Sequence, residues 1–380
     1  MTSVSGTSVR DFFHFLFSSL RCERRAIVTL DKTMRAFTLS AALVLAASSA
    51  HALNITITQK GVPFVSSPTN PPPFVASQCD KIVEKFNTLG RSTVWNLVQK
   101  TPFQGELWEP EGMARIGEDR YFVSAGEYTS KTVSYNGTII NGTDRTAGSG
   151  FAHLVVFDNK GGRIADATLT APGDLEYHNG GIDYDGEYIW ATLAQYRPNT
   201  TAHFVRINPR TLEPTTFLRA ADHHGGVVHD TKTDRLYTLN WGARNASTWQ
   251  LNSKMFTQPP TGFTKPLNVV RNPSYYADYQ DCKFLGHPKA YNGRGMMICS
   301  GVTTNIFNST IGGIALVDEE TMVPVAEVPI TMKSDLGTLV TMNPFDVDVV
   351  NDRLRVYFLP DQHNSTLYVY EALPNSPYEY

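Results

Sequence analysis

The sequence predicts an all-β fold, a β-propeller with five assignable blades closed by a strand from the N-terminal side. Three observations predict it. A unit of short strand, tight polar turn and aromatic-rich strand recurs: EGMARIGEDRYFVSAGE, GGIDYDGEYIWATLAQ, GGVVHDTKTDRLYTLNWG, QDCKFLG with GMMICSG, and FDVDVVNDRLRVYFLPDQ. Taking Gly112, Gly181, Gly226, Asp281 and Asp346 as equivalent, the spacings are 69, 45, 55 and 65 residues, the length of a four-stranded blade. Only 18% of residues are charged while 41% are apolar, with 28 Gly and 22 Pro, which suits short buried strands and turns. Six smaller blades also fit the length, and a two-sheet sandwich is the competing fold.

The elements follow in chain order. Residues 1–33 lie upstream of a secretory signal and are not expected to be structural. Residues 34–52, MRAFTLSAALVLAASSAHA, combine Arg35, an apolar run at 37–47 and a small-x-small ending at Ala50-His51-Ala52. The run is too short for a membrane span. Cleavage after Ala52 removes six basic and three acidic residues from totals of 33 and 36. The mature chain then has 328 residues, with 27 basic and 33 acidic ones, and its charge moves from −3 to −6. Residues 53–92 are an N-terminal segment with an extended Pro63–Pro73 linker and a short helix at Cys79–Leu89, packed outside the ring. Residues 93–373 are the propeller, and 374–380 are a tail. TLYVYEAL is the third strand of the last unit, and Thr93–Phe103 supplies the fourth, which removes an open edge. Residues 128–150 form a surface insertion in the first unit.

Seven N-x-S/T sequons, at Asn54, Asn136, Asn141, Asn199, Asn245, Asn308 and Asn364, predict a secreted glycoprotein with those positions on surface loops. Cys282 and Cys299 fall in neighbouring strands and are expected to bond in an oxidising compartment, while Cys79 is left over. Two buried thiols are the alternative. The charge balance excludes an obvious nucleic-acid binder. No membrane span remains after signal cleavage. A monomer is expected, because propellers close on themselves.

Aligned first strands place Glu109, His178 and His223 at one position, three residues before the shared glycine. Asp278 and Asn343 share the offset, with Asp281 and Asp346 close by. First strands line a propeller's channel, so these groups would converge on a polar pocket. His178, His223 and Glu109 are the candidate catalytic residues. Glu111, His178, His223, Asp281 and Asp346 are the candidate ligands of one divalent ion of unknown identity, which would polarise an ester or lactone carbonyl and activate water. One His acting as general base is the metal-free alternative. Channel carboxylates also admit a glycosidase pair. The competing reading is that these groups only bond one another and the strand ends. The tryptophans are expected in the inter-blade core. No G-x-S-x-G elbow, H-E-x-x-H motif or P-loop is present.

The motifs HNGGIDYDGEYIWATLAQYRPNT, HHGGVVHD with LYTLNWGAR, and YQDCKFLG with MMICSG resemble an uncharacterised family of secreted microbial propeller-like proteins, a domain of unknown function. The resemblance spans Trp95 to Ala372. More distantly the chain is similar to lactonase and gluconolactonase-like propellers, which implies a divalent metal in the channel. Glu111 matches their metal-binding Glu, and the two His depart from their Glu, Asn and Asp set. A non-catalytic propeller binding a small molecule, a glycan or a partner is the second class of function.

Overall fold

Strand pairing divides the chain into five antiparallel sheets arranged as a propeller. The computed structural model describes residues 53–373 apart from 91, 275–277 and 305–308. The signal segment, Asn308 and the tail 374–380 lie outside the described residues. Blade 1 is Glu109–Arg115, Arg120–Ser130, Ser149–Asp158 and Arg163–Thr168. In blade 2 the inner strand is split into His178–Asn179 and Asp183–Tyr184, followed by Ile189–Ala194, Ala202–Ile207 and Pro214–Ala220. Blade 3 runs His224–Asp230, Arg235–Asn240, Asn245–Gln250 and Asn268–Arg271. Blade 4 is Asp278–Gly286, Met296–Thr304, Thr310–Asp318 and Pro324–Ile330.

Blade 5 carries the closure. Phe345–Val350, Arg353–Phe358 and Thr366–Leu373 come from the C-terminal end, and Val94–Pro102 adds the outer strand with Val94 opposite Leu373 and Pro102 opposite Thr366. The ring therefore has five blades, not six.

Five hydrophobic clusters hold it, one between each pair of neighbouring blades. Leu154 and Val156 of blade 1 meet Ile189 and Ala191 of blade 2. Trp190 of blade 2 and Trp249 of blade 3 share the next interface. Met113 of blade 1 and Tyr357 of blade 5 share the cluster that completes the circle. The inner and middle strands of each sheet bury both faces, which is why they read as near-continuous apolar runs and charge density is low. Cys282 and Cys299 sit directly opposite each other in blade 4 and form the expected disulfide. Cys79 is free, and burial followed by the charge of Asp80 pushes its thiol up to about 12.

The N-terminal segment departs from expectation in two ways. Asn54–Ile57 pairs with Arg163–Thr168, so blade 1 gains a fifth strand. The helices Phe74–Ser77 and Cys79–Phe86 do not lie outside the ring. They pack on the inner strands of blades 4 and 5, burying Val75, Ile82, Val83 and Phe86 with Leu285, Phe345 and Val347. An apolar helix face needs an apolar partner, and the channel floor supplies one. Among the described residues, no helix is long and apolar enough to cross a membrane.

Asn136, Asn141, Asn199 and Asn364 are exposed outside strands, as the sequons predicted. Asn54 and Asn245 are instead strand residues. Asn54 is exposed on the added edge strand, whereas Asn245 is half-buried with Ser247 of its sequon buried.

Candidate functional site at the channel mouth

The five aligned positions all reach the same level of the ring. Glu109, His178 and Asp278 are the first residues of their inner strands, and His223 and Asn343 stand just before theirs. Glycine makes this convergence possible. A Cβ on Gly180 would lie 1.9 Å from the Gly225 carbonyl oxygen, and one on Gly112 would lie 2.5 Å from the Ile182 nitrogen. The Gly181 amide donates to the Gly225 carbonyl at 2.7 Å, tying blades 2 and 3 together at the axis.

Burial and crowding displace the titrations at the mouth. Glu109 accepts from the Tyr128 hydroxyl and, at 2.9 Å, from Gln362 Nε2. Burial, then the neighbouring Glu111, pushes its carboxyl up to about 8 against the opposing pull of His178. Glu111 Oε1 lies 3.7 Å from His178 Nε2. Burial works against charge on His178, but Glu111 and Glu109 outweigh it and raise its pKa. His178 Nδ1 is buried without a partner.

The His223 ring is 5.3 Å from that of His178. Its Nδ1 donates to the Gln195 carbonyl at 2.7 Å, which leaves Nε2 as the acceptor. Burial, then the charge of His178, drives its pKa well down, so it is neutral. Burial raises Asp278 to about 6, with Arg244 opposing and Glu111 adding.

The other expected carboxylates stand deeper and are already committed. Asp281 Oδ2 accepts the Met113 amide of blade 1 at 3.1 Å and the Phe345 amide of blade 5 at 3.0 Å, and Oδ1 accepts Lys283 Nζ at 2.5 Å. Asp346 accepts the Arg115 and Val347 amides at 2.9 and 2.7 Å. Asp183 does the same for His229 and Phe284 of blades 3 and 4. Asp348 pairs with Arg115 at 2.7 Å. These acids stitch blades together across the channel floor. The five-residue metal set therefore does not assemble. Asp281 and Asp346 are turned to backbone amides, and no group of three or more His, Cys, Asp or Glu among the described residues is placed to hold a metal ion. Asp183 and Asp348 are likewise inner-strand residues with partners.

An aromatic wall that the shared offset before the inner-strand glycine does not predict lines the mouth. Tyr128, Tyr196 and Trp241 follow one another around the mouth. Ring centres are 5.8 Å apart for Tyr128 and Tyr196, 5.2 Å for Tyr196 and Trp241, and 5.0 Å for His178 and Tyr196. Trp241 is not in the inter-blade core but in the turn Trp241–Ala243, 5.0 Å from His223. A signal existed. Tyr128, Tyr196, Trp241 and Gln362 lie 16, 15, 15 and 16 residues after Gly112, Gly181, Gly226 and Asp346, where each blade's second strand returns to the mouth. The insertion 128–150 also folds over this face. It brings the Arg145 guanidinium to 4.5 Å from the Trp241 ring centre, and Asn199 Nδ2 donates to the Gly142 carbonyl at 2.6 Å.

No curated protein matches the chain in sequence. Solved structures similar to it include a hypothetical protein from Leishmania major, with TM-score 0.40, 10% identity and coverage of 74% of this chain and 92% of that one. A luciferin-regenerating enzyme gives 0.40, 9%, 75% and 96%. The calcium-binding protein regucalcin from Agrobacterium tumefaciens gives 0.36, 11%, 74% and 95%. Likeness this weak says nothing about the site. The sequence profile of a family of unknown function, DUF6454, matches residues 73–376, and the chain belongs to that family.

Proposed function

We propose that the channel mouth is a metal-independent acid–base site that hydrolyses a small ester or lactone. The observation that carries this reading is the buried pair of Glu111 and His178 with an unpartnered Nδ1, beside the neutral His223. In its neutral form His178 accepts a proton from water at Nδ1 as the water oxygen attacks the carbonyl carbon, and Glu111 stabilises the imidazolium that forms. Glu109, protonated below about pH 8, gives its proton to the alkoxide as the C–O bond breaks. Proton return from His178 to Glu109 resets the site.

The test is a panel of esters and lactones assayed with and without a chelator. Turnover that survives chelation and falls on His178→Ala or Glu111→Gln supports the reading. A panel without turnover overturns it. The aromatic wall favours a second reading, a propeller that binds its ligand without converting it, and saturable binding without turnover would establish that.

The sequon positions and the disulfide support export of the chain as a glycoprotein, with cleavage after Ala52 read from the sequence, and the closed ring supports a monomer. Sequencing the N-terminus of secreted material, a mass shift on glycosidase treatment and a sedimentation measurement check these three points.

A further inference from the structure

The aromatic wall already holds a cation, and that cation belongs to the chain. Arg145 reaches the mouth from the insertion, with its guanidinium 4.5 Å from the centre of Trp241 and 5.7 Å from that of Tyr196. Asp144 holds it from behind through two bonds of 2.9 and 3.0 Å. The carboxylates Glu109, Glu111 and Asp278 act on one another at the same mouth. Glu109 and Glu111 also act on Tyr196, so the wall lies within their field. Two buried polar atoms here, His178 Nδ1 and the Tyr177 hydroxyl, have no partner. Aromatic faces attract planar cations.

We propose that the mouth selects a ligand bearing a guanidinium-like planar cation, and that Arg145 occupies its seat until the ligand displaces it. Arg145 then stands in for the ligand's charged group. This rests on the reading of the mouth as the ligand site and adds the chemical class of what enters. Trp241 and Tyr196 supply the seat, and the affinity of their faces for a planar cation sets the sign of charge.

The test uses arginine methyl ester against citrulline methyl ester, which replaces the guanidinium by an uncharged group of the same shape. Binding is followed by tryptophan fluorescence and calorimetry on the mature protein, with ester hydrolysis measured separately. Arginine ester should bind at least about tenfold more tightly than citrulline ester, and Trp241→Leu should weaken it by roughly tenfold. Arg145→Gln should tighten it severalfold by removing the internal competitor. Equal affinity for the two esters, no binding of either, or weaker binding in Arg145→Gln overturns the proposal. The comparison of the two esters on the unmodified protein stands whatever the variants do. Binding of the arginine ester without hydrolysis would sink the hydrolase reading and leave the ligand class intact. Equal kcat/KM for both esters would do the reverse.

Discussion

The floor and the mouth of the channel use the same residue types on the same five inner strands, a few residues apart, and do opposite things with them. At the floor, Asp183, Asp281 and Asp346 give their oxygens to backbone amides of other blades, and Lys283 donates to Asp281 and to the Ile182 carbonyl. At the mouth, His178 Nδ1 has no partner, Glu109 is held neutral by burial and a second carboxylate, and His223 is held neutral by burial and by the neighbouring His178. A buried polar group that is fully bonded stiffens the structure, while one that is left open is available to a ligand. The difference comes from what each carboxylate faces: strand amides below, and side chains from turns above.

The largest expected effect is at the floor. Asp281→Ala leaves Lys283 without its carboxylate and two amides without acceptors, and should cost about 3–5 kcal/mol in chemical denaturation. His178→Ala should leave the denaturation midpoint nearly unchanged and lower turnover by about 10²- to 10⁴-fold. A similar stability loss in both variants would break the comparison and make the mouth a second set of stitches. Next comes the blade 4 disulfide. Cys282 and Cys299 are 17 residues apart, and replacing both by Ser should cost about 3 kcal/mol, read from the same denaturation curves.

The pH dependence sharpens the contrast further. Asp183 is raised by burial to about 7, Asp281 to about 6, Glu109 to about 8 and Asp278 to about 6. Each binds its proton more tightly folded than unfolded, so its contribution is complete below the ordinary carboxylate range and disappears as pH rises through these values. Thermal melting should therefore be higher at pH 5 than at pH 8, the four carboxyls outweighing buried His223 and His224, which lose stability as the pH falls, and Glu109→Gln should flatten the upper part of that slope. Asp185 and Asp230 are depressed and act in the opposite sense, losing their contribution only as the medium becomes strongly acidic. The smallest effect is at the rim. Asn199→Ala removes the bond to the Gly142 carbonyl and should speed hydrogen exchange in 132–146 while lowering overall stability by about 1 kcal/mol or less.

By itself the sequence determined the propeller unit. Five repeats with alternating turns, a last unit short of its fourth strand and an unassigned strand on the N-terminal side pointed to a closed ring, and the pairing of Val94–Pro102 with Thr366–Leu373 decided it against six blades or a sandwich. It also determined the ring of mouth residues, because a shared offset from the inner-strand glycine is a one-dimensional property. The pairing of Cys282 with Cys299 followed from strand neighbours in the same way.

Tertiary structure decided the rest. Whether an inner-strand acid becomes a stitch or an open site depends on which amides of other blades come within reach. Those amides are 46 to 231 residues away in sequence. Asp281 and Asp346 read as ligands in the sequence and are stitches for that reason. The helix Cys79–Phe86 was legible as a helix, but its seat on the channel floor required the apolar ends of blades 4 and 5. Arg145 comes from an insertion with no repeat to align. Its place over Trp241 is set by how that loop crosses from blade 1 to blade 3, a contact fixed by folding and carried by no local pattern.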